Sequence, residues 1–146
     1  MKKYSRTFTA FSTLILFVSC FSFYSCKENE ETAPNETLAL LSSGTWHIAN
    51  VTVDGVIRND LFTGFTLTFS HEAYASTGGH PVWSASGTWA FANSTSSAIT
   101  RDDGTVVTIT SLTGTNLKLT LQWDQTTLGG GRIDSISGEY IFEFSR

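Results

Sequence analysis

Residues 65–70 read Phe65-Thr66-Leu67-Thr68-Phe69-Ser70. Large apolar side chains occupy every second position, so in an extended chain they fall on one face and the hydroxyls on the other. A helix would scatter them around its axis. The same period recurs on both sides of this run. Leu117, Leu119, Leu121 and Trp123 alternate with Lys118, Thr120 and Gln122, and Ile136, Gly138, Tyr140, Phe142 and Phe144 share a face of a final strand expected near 133–145. Trp83, Ala85, Gly87, Trp89 and Phe91 share a face of a strand expected over 82–92. Further strands are expected near 45–54, 73–77, 98–101 and 105–110. They are punctuated by Asp54-Gly55, Gly78-Gly79-His80-Pro81, Asp102-Asp103-Gly104 and Gly129-Gly130-Gly131.

Strands rich in Thr, Val, Phe and Trp, joined by turns in which Asp-Gly tolerates positive φ, describe an all-β chain. About eight evenly spaced strands suggest a sandwich or an antiparallel up-and-down barrel. One face of each strand is apolar and the other rich in Thr and Ser, which fits a meander with one wet face. Gly87 and Gly138 fall inside strands, where glycine marks a bend or a close approach.

Composition agrees with that pattern. The chain has 146 residues, enough for one domain. Only 15% are charged, against about 25% in an average domain, because hydroxyl residues take the outward strand positions. The net charge of −4 gives no basic surface for nucleic acid or for an anionic membrane.

The first segment is different. Lys2, Lys3 and Arg6 precede an uncharged stretch from Phe8 to Tyr24 whose apolar core, Leu14 to Phe21, is too short to span a bilayer. This is the pattern of a secretory signal peptide. Ser25-Cys26 closes it, and Lys27-Glu28-Asn29-Glu30-Glu31 follows. That junction resembles the lipobox of bacterial lipoproteins, in which the cysteine is acylated and becomes the new N-terminus. The acidic run resembles the export signal of Bacteroidota-type surface lipoproteins. Cys20 is a second candidate anchor, but apolar residues follow it, which favours Cys26. The resemblance implies residues 1–25 as a lipoprotein signal peptide and a mature domain held by acyl chains on the outer membrane, exposed at the cell surface. Two or more chains hold stably where one does not. Cleavage removes three of nine basic residues and none of thirteen acidic ones, taking the net charge to −7. Cys20 is then lost, so a Cys20–Cys26 disulfide is not expected.

Residues 26–40 read as a flexible acidic tether, with a short helical turn at Leu38, Leu40 and Leu41, and residues 41–146 as the barrel domain. Gly44-Thr45-Trp46, the Phe65–Phe69 run, Gly87-Thr88-Trp89, Leu117–Leu121 and Gly138–Phe144, in that order, resemble the lipocalin-like domains of small surface lipoproteins. The resemblance implies an eight-stranded calycin-type barrel. It also implies a floor where Trp46 packs beneath a basic residue of the last strand, a role that falls to Arg146. A domain of this size has little room for a ligand, and some eight-stranded barrels are filled by side chains.

Two roles follow for the domain. One is non-enzymatic binding of a small apolar or glycan ligand, lined by Trp83, Trp89, Phe91, Leu119 and Trp123, with Trp83 and Trp123 near strand ends. The other is a surface interaction or structural module with a filled core. No enzymatic activity, cofactor, metal or nucleic-acid partner is expected. His47, His71 and His80 do not share a strand face, and His71 beside Glu72 reads as a solvated turn. Asp102 and Asp103 read as hairpin turn residues. Glu139 and Glu143 face outward, away from Tyr140 and Phe142, rather than across a cleft. Asp134-Ser135-Ile136 resembles the O-glycosylation acceptor of Bacteroidota proteins.

Overall fold

The computed structural model describes residues 32–129 and 132–146. The signal segment, Cys20 and Cys26 lie outside the described residues. The elements are α1 (Thr32–Leu41), β1 (Thr45–Val53), β2 (Val56–Ile57), a single 3-10 turn (Asn59–Leu61), β3 (Thr66–Phe69), β4 (Ala73–Thr77), β5 (Ser86–Phe91), β6 (Ala98–Arg101), β7 (Val106–Leu112), β8 (Asn116–Trp123), β9 (Thr127–Gly129), β10 (Arg132–Ser135) and β11 (Gly138–Ser145). β1, β3 to β8 and β11 form a closed antiparallel barrel of eight strands, each beside its neighbour in the meander, with β11 returning to pair with β1. β2 is an extra strand on β1, and β9 and β10 form a separate hairpin.

Alternation sets the register. Phe144, Phe142 and Tyr140 lie opposite Leu117, Leu119 and Leu121, and Trp46 lies opposite Leu67. All of these side chains are buried. A one-residue slip would turn each of these sets out to water, so burial itself fixes the pairing. Bulges between Ile48 and Asn50 and between Ile109 and Ser111 add the local curvature that closure needs. At Gly87 the Tyr74 ring crosses the strand so closely that a Cβ would stand 2.6 Å from its hydroxyl. Gly138 adopts φ +153°, with the Asp54 carboxylate where a side chain would be.

One end of the barrel, here called lower, carries α1 and the β3–β4, β5–β6 and β7–β8 turns. Leu38 and Leu41 of α1 pack on the core. At the helix end the Leu38 carbonyl accepts from both the Ser42 amide at 2.9 Å and the Ser42 hydroxyl at 2.7 Å. The upper end carries residues 54–65, the β4–β5 loop, the β6–β7 turn and the β9–β10 hairpin. Between them the interior is filled by aromatic rings. Tyr140, Phe142 and Phe144 stack along β11, with Phe62 edge-on to Phe142 at 5.1 Å and Phe65 edge-on to Phe144 at 5.3 Å.

Four local expectations change. α1 begins at Thr32, so a ten-residue helix stands in place of a tether running to residue 40. Pro34 is tolerated there because first-turn amides have no intrahelical acceptor. The strand expected over 82–92 begins only at Ser86. The strand expected over 133–145 is two strands, divided at residues 136–137, where the Tyr140 hydroxyl donates to the Ile136 carbonyl at 2.6 Å and accepts from its amide at 2.9 Å. The short strands β2 and β9 add to the expected set.

Candidate functional site

The β4–β5 loop, residues 78–85, turns inward across the upper mouth. Gly78 takes φ +71°, a left-handed conformation suited to glycine. The Trp83 amide donates to the Gly79 carbonyl at 2.8 Å, curling the chain back on itself. Gly79 is a close-approach position: a Cβ there would stand 2.6 Å from the Phe65 ring and 2.7 Å from the Trp83 Cβ. The curl drives the Trp83 side chain into the barrel, where it is 0% exposed. Tyr74 meets it edge-on at 5.5 Å and Phe142 at 6.3 Å, while Phe65 lies tilted at 6.3 Å.

Arg101, at the end of β6, closes the cluster. Its side chain is buried and its guanidinium carbon lies 4.7 Å over the Trp83 ring and 6.0 Å from the Tyr74 ring. A buried cation is costly unless paired. Asp103 supplies the pair, accepting from Nε at 3.3 Å and from Nη2 in a close ion pair. Nη1 donates to the Val82 carbonyl at 2.8 Å. Arg101 therefore links the barrel wall to the loop. Burial pushes the Asp103 carboxyl up, but hydrogen bonds from Arg101 and Thr105 outweigh it and hold the group below its ordinary range.

Two donors here lack partners among the described residues. The Trp83 Nε1 and Tyr74 hydroxyl are buried without a hydrogen bond to any of them. Ser84 lies near enough to Tyr74 to influence its phenol, yet no hydrogen bond forms to the oxygen. Burial pushes that phenol above its ordinary value, so it stays a neutral donor at physiological pH. Each such group costs about 1–3 kcal/mol while unpaired. The arrangement offers aromatic faces, a charge-balanced guanidinium and two unused N–H or O–H groups. That equips it to hold an oxygen acceptor.

The five residues expected to line one pocket are not gathered in one place. Trp83 plugs the upper mouth. Leu119 sits in the wall on β8, opposite Phe142 of β11, 0% exposed. Trp89 turns toward the lower β3–β4 turn, donating to the Ser70 and Ala73 carbonyls at 3.1 Å each, with Phe91 at 5.1 Å and Phe69 at 5.6 Å. Trp123 is half-buried and donates to the Ser135 hydroxyl at 3.3 Å. Ser135 itself is buried and donates to the Gln125 carbonyl at 3.2 Å, so the hydroxyl of Asp134-Ser135-Ile136 is engaged inside the fold rather than presented to solvent.

At the lower end the structure brings Trp46 and Arg146 together. Trp46 is 0% exposed and donates from Nε1 to the Leu41 carbonyl at 2.9 Å. The Arg146 guanidinium carbon lies 4.4 Å over its ring. Arg146 also donates from Nε to the Gly114 carbonyl at 3.0 Å and binds Ser43. Its stem crosses Gly44, where a Cβ would stand 3.1 Å from Cδ. Glycine two residues before Trp46 thus leaves the path open for the arginine.

Sequence reading missed Tyr74 and Arg101. The signal for Arg101 was present: it sits two positions after Ile99, and so on the inward face of β6. Compared with protein-family models, curated proteins and solved structures, the chain matches none.

Proposed function

We propose that this chain is a membrane-anchored, non-enzymatic lipoprotein whose lipocalin-like barrel binds a small ligand through its upper end. The observation that carries the reading is the pair of buried, unpartnered donors at Tyr74 and Trp83, in a cluster of aromatic rings at the end away from α1. Binding sites of this kind are mostly apolar with a few polar groups that fix orientation. Acylation of Cys26 and outer-membrane exposure belong to the same reading. They are supported by the signal-like segment and the acidic residues that follow it.

A second reading, an interaction module with a filled core, is favoured by the complete burial of Trp83 and Leu119 and by the stacked rings of β11. Native mass spectrometry of the full chain, released from its own membranes in mild detergent, separates the two. Ligand binding predicts a non-covalent adduct of constant small mass that is lost on unfolding. A bare protein mass would favour the filled module.

A further inference from the structure

We infer that the slot now filled by the Trp83 indole is a ligand subsite occupied by the chain's own side chain. It takes a neutral, flat molecule of bicyclic size that carries an oxygen acceptor. The inference rests on the ligand-binding reading and supplies its chemistry.

Shape comes first. The indole is bounded by the guanidinium at 4.7 Å and by the Tyr74, Phe65 and Phe142 rings at 5.5, 6.3 and 6.3 Å. A flat fused ring in the same place keeps the cation–π and edge-to-face contacts.

The plug is also separable from the wall. Trp83 lies outside the strands, and β4 and β5 pair through Ala73–Ala75 and Ser86–Thr88 without it. Polar contacts tie the loop down: Arg101 to the Val82 carbonyl at 2.8 Å, the Ser76 hydroxyl to the Ser84 carbonyl at 2.8 Å, and the Ser76 amide to the Ala85 carbonyl at 2.8 Å. Lifting residues 79–84 breaks the first two and leaves the barrel ladder intact.

Polarity follows from the unused groups. The indole N–H is donor-only, and a neutral phenol donates as readily as it accepts. An entering carbonyl oxygen satisfies the Tyr74 hydroxyl, while Trp83, once lifted, donates to water. Charge argues against an anion. The Arg101 guanidinium is already matched by Asp103, and the chain carries thirteen acidic residues against nine basic. Among the described residues that bound the slot, an entering carboxylate would meet no unpaired cation.

The test uses the full chain and the fluorescent ketone 6-propionyl-2-(dimethylamino)naphthalene, which is neutral, bicyclic and acceptor-bearing. The expected result is saturable, blue-shifted emission at one probe per chain, with 2-acetylnaphthalene competing. Both 2-ethylnaphthalene, which lacks the acceptor, and naphthalene-2-carboxylate should compete about tenfold less well. Tyr74→Phe is expected to weaken the probe about tenfold. Trp83→Ala empties the slot and tightens binding. Gly79→Ala does the same by wedging the loop from its seat with all rings retained, and it carries the test where Trp83→Ala does not fold.

Probe binding that Gly79→Ala and Tyr74→Phe leave unchanged, or a preference for the carboxylate, overturns the subsite. So does the absence of saturable binding in both wild type and Gly79→Ala. If a native-mass adduct is nonetheless present, only the subsite and its chemistry fall. With neither adduct nor probe binding, the ligand-binding reading falls as well.

Discussion

Arg101 donates from Nη1 to the main-chain oxygen of Val82 at 2.8 Å, so the end of one wall strand holds the loop that closes the barrel mouth. Replacing the guanidinium with an apolar chain leaves the Val82 carbonyl without its side-chain donor and the Asp103 carboxylate with Thr105 as its remaining donor. Arg101→Met is expected to lower stability by about 2 kcal/mol, less than a fully buried pair would lose because Asp103 is partly exposed. Urea unfolding measures it. A loss below about 0.5 kcal/mol would show that the loop does not depend on this bond.

The same pair fixes a pH dependence. The Asp103 carboxyl is held below its ordinary value of 3.8, so the unfolded chain takes up a proton first as pH falls. The contribution of Asp103 is present above that ordinary value and is lost as pH drops through the lowered one. Glu143, hydrogen-bonded by Lys118 and Asn50, shifts in the same direction. Thermal melting followed from neutral pH downward should show a steep acid limb below the ordinary carboxylate range, and Asp103→Asn should flatten part of it. An unchanged limb in that variant would assign the acid sensitivity elsewhere.

Tyr74 and Gly87 give opposite expectations from one contact. The Tyr74 hydroxyl has no partner among the described residues, so Tyr74→Phe is expected to leave stability unchanged or raise it by up to about 1 kcal/mol. Gly87→Ala places a Cβ 2.6 Å from that hydroxyl and is expected to cost about 1–3 kcal/mol. Combining the two changes should recover little, because the ring carbons Cε1 and Cζ, at 2.6 and 2.7 Å, still clash. Full recovery in the double variant would reduce the clash to the oxygen alone.

Arg146→Ala removes the cation above Trp46 and the donor to Gly114. Because the residue is exposed, the expected loss is modest, about 1 kcal/mol. Arg146→Lys should restore less than half, since an ammonium lacks the planar fork that stacks and donates at once. Equal stability of the Lys variant and wild type in urea unfolding would argue for charge alone.

Cys26→Ala is expected to abolish incorporation of labelled fatty acid and to release the domain into the soluble fraction. Labelling that persists moves the anchor to Cys20. Release without any change in labelling would separate retention from acylation.

The barrel was legible where alternation was strict. Leu117–Trp123 and residues 138–144 kept both their extent and their inward faces, because each large side chain had only one dry side to occupy. The 82–92 run alternates just as well, yet its strand begins only at Ser86. Trp83 reaches the interior through a turn bonded back to Gly79, and an indole buried from a loop leaves the same period as one buried from a strand. Tyr74 was overlooked because its importance depends on Gly87, thirteen residues away and across a strand pair. Arg101 is a buried charge, and the preference of charge for water argues for an outward place. Its position after Ile99 pointed inward, but only the later Asp103 makes burial of that charge tolerable.

The pairing of β1 with β11 has a bearing on how the chain acquires its shape. The first barrel strand is completed by a partner about ninety residues further on. Contacts so distant in sequence close late and slow the folding reaction. Until Gly138–Ser145 docks, β1 and β8 each present an open edge, and open edges recruit other chains. The final eight-residue strand therefore acts as the protein's own protection against aggregation, and partly folded chains that lack it are the ones that would need a chaperone.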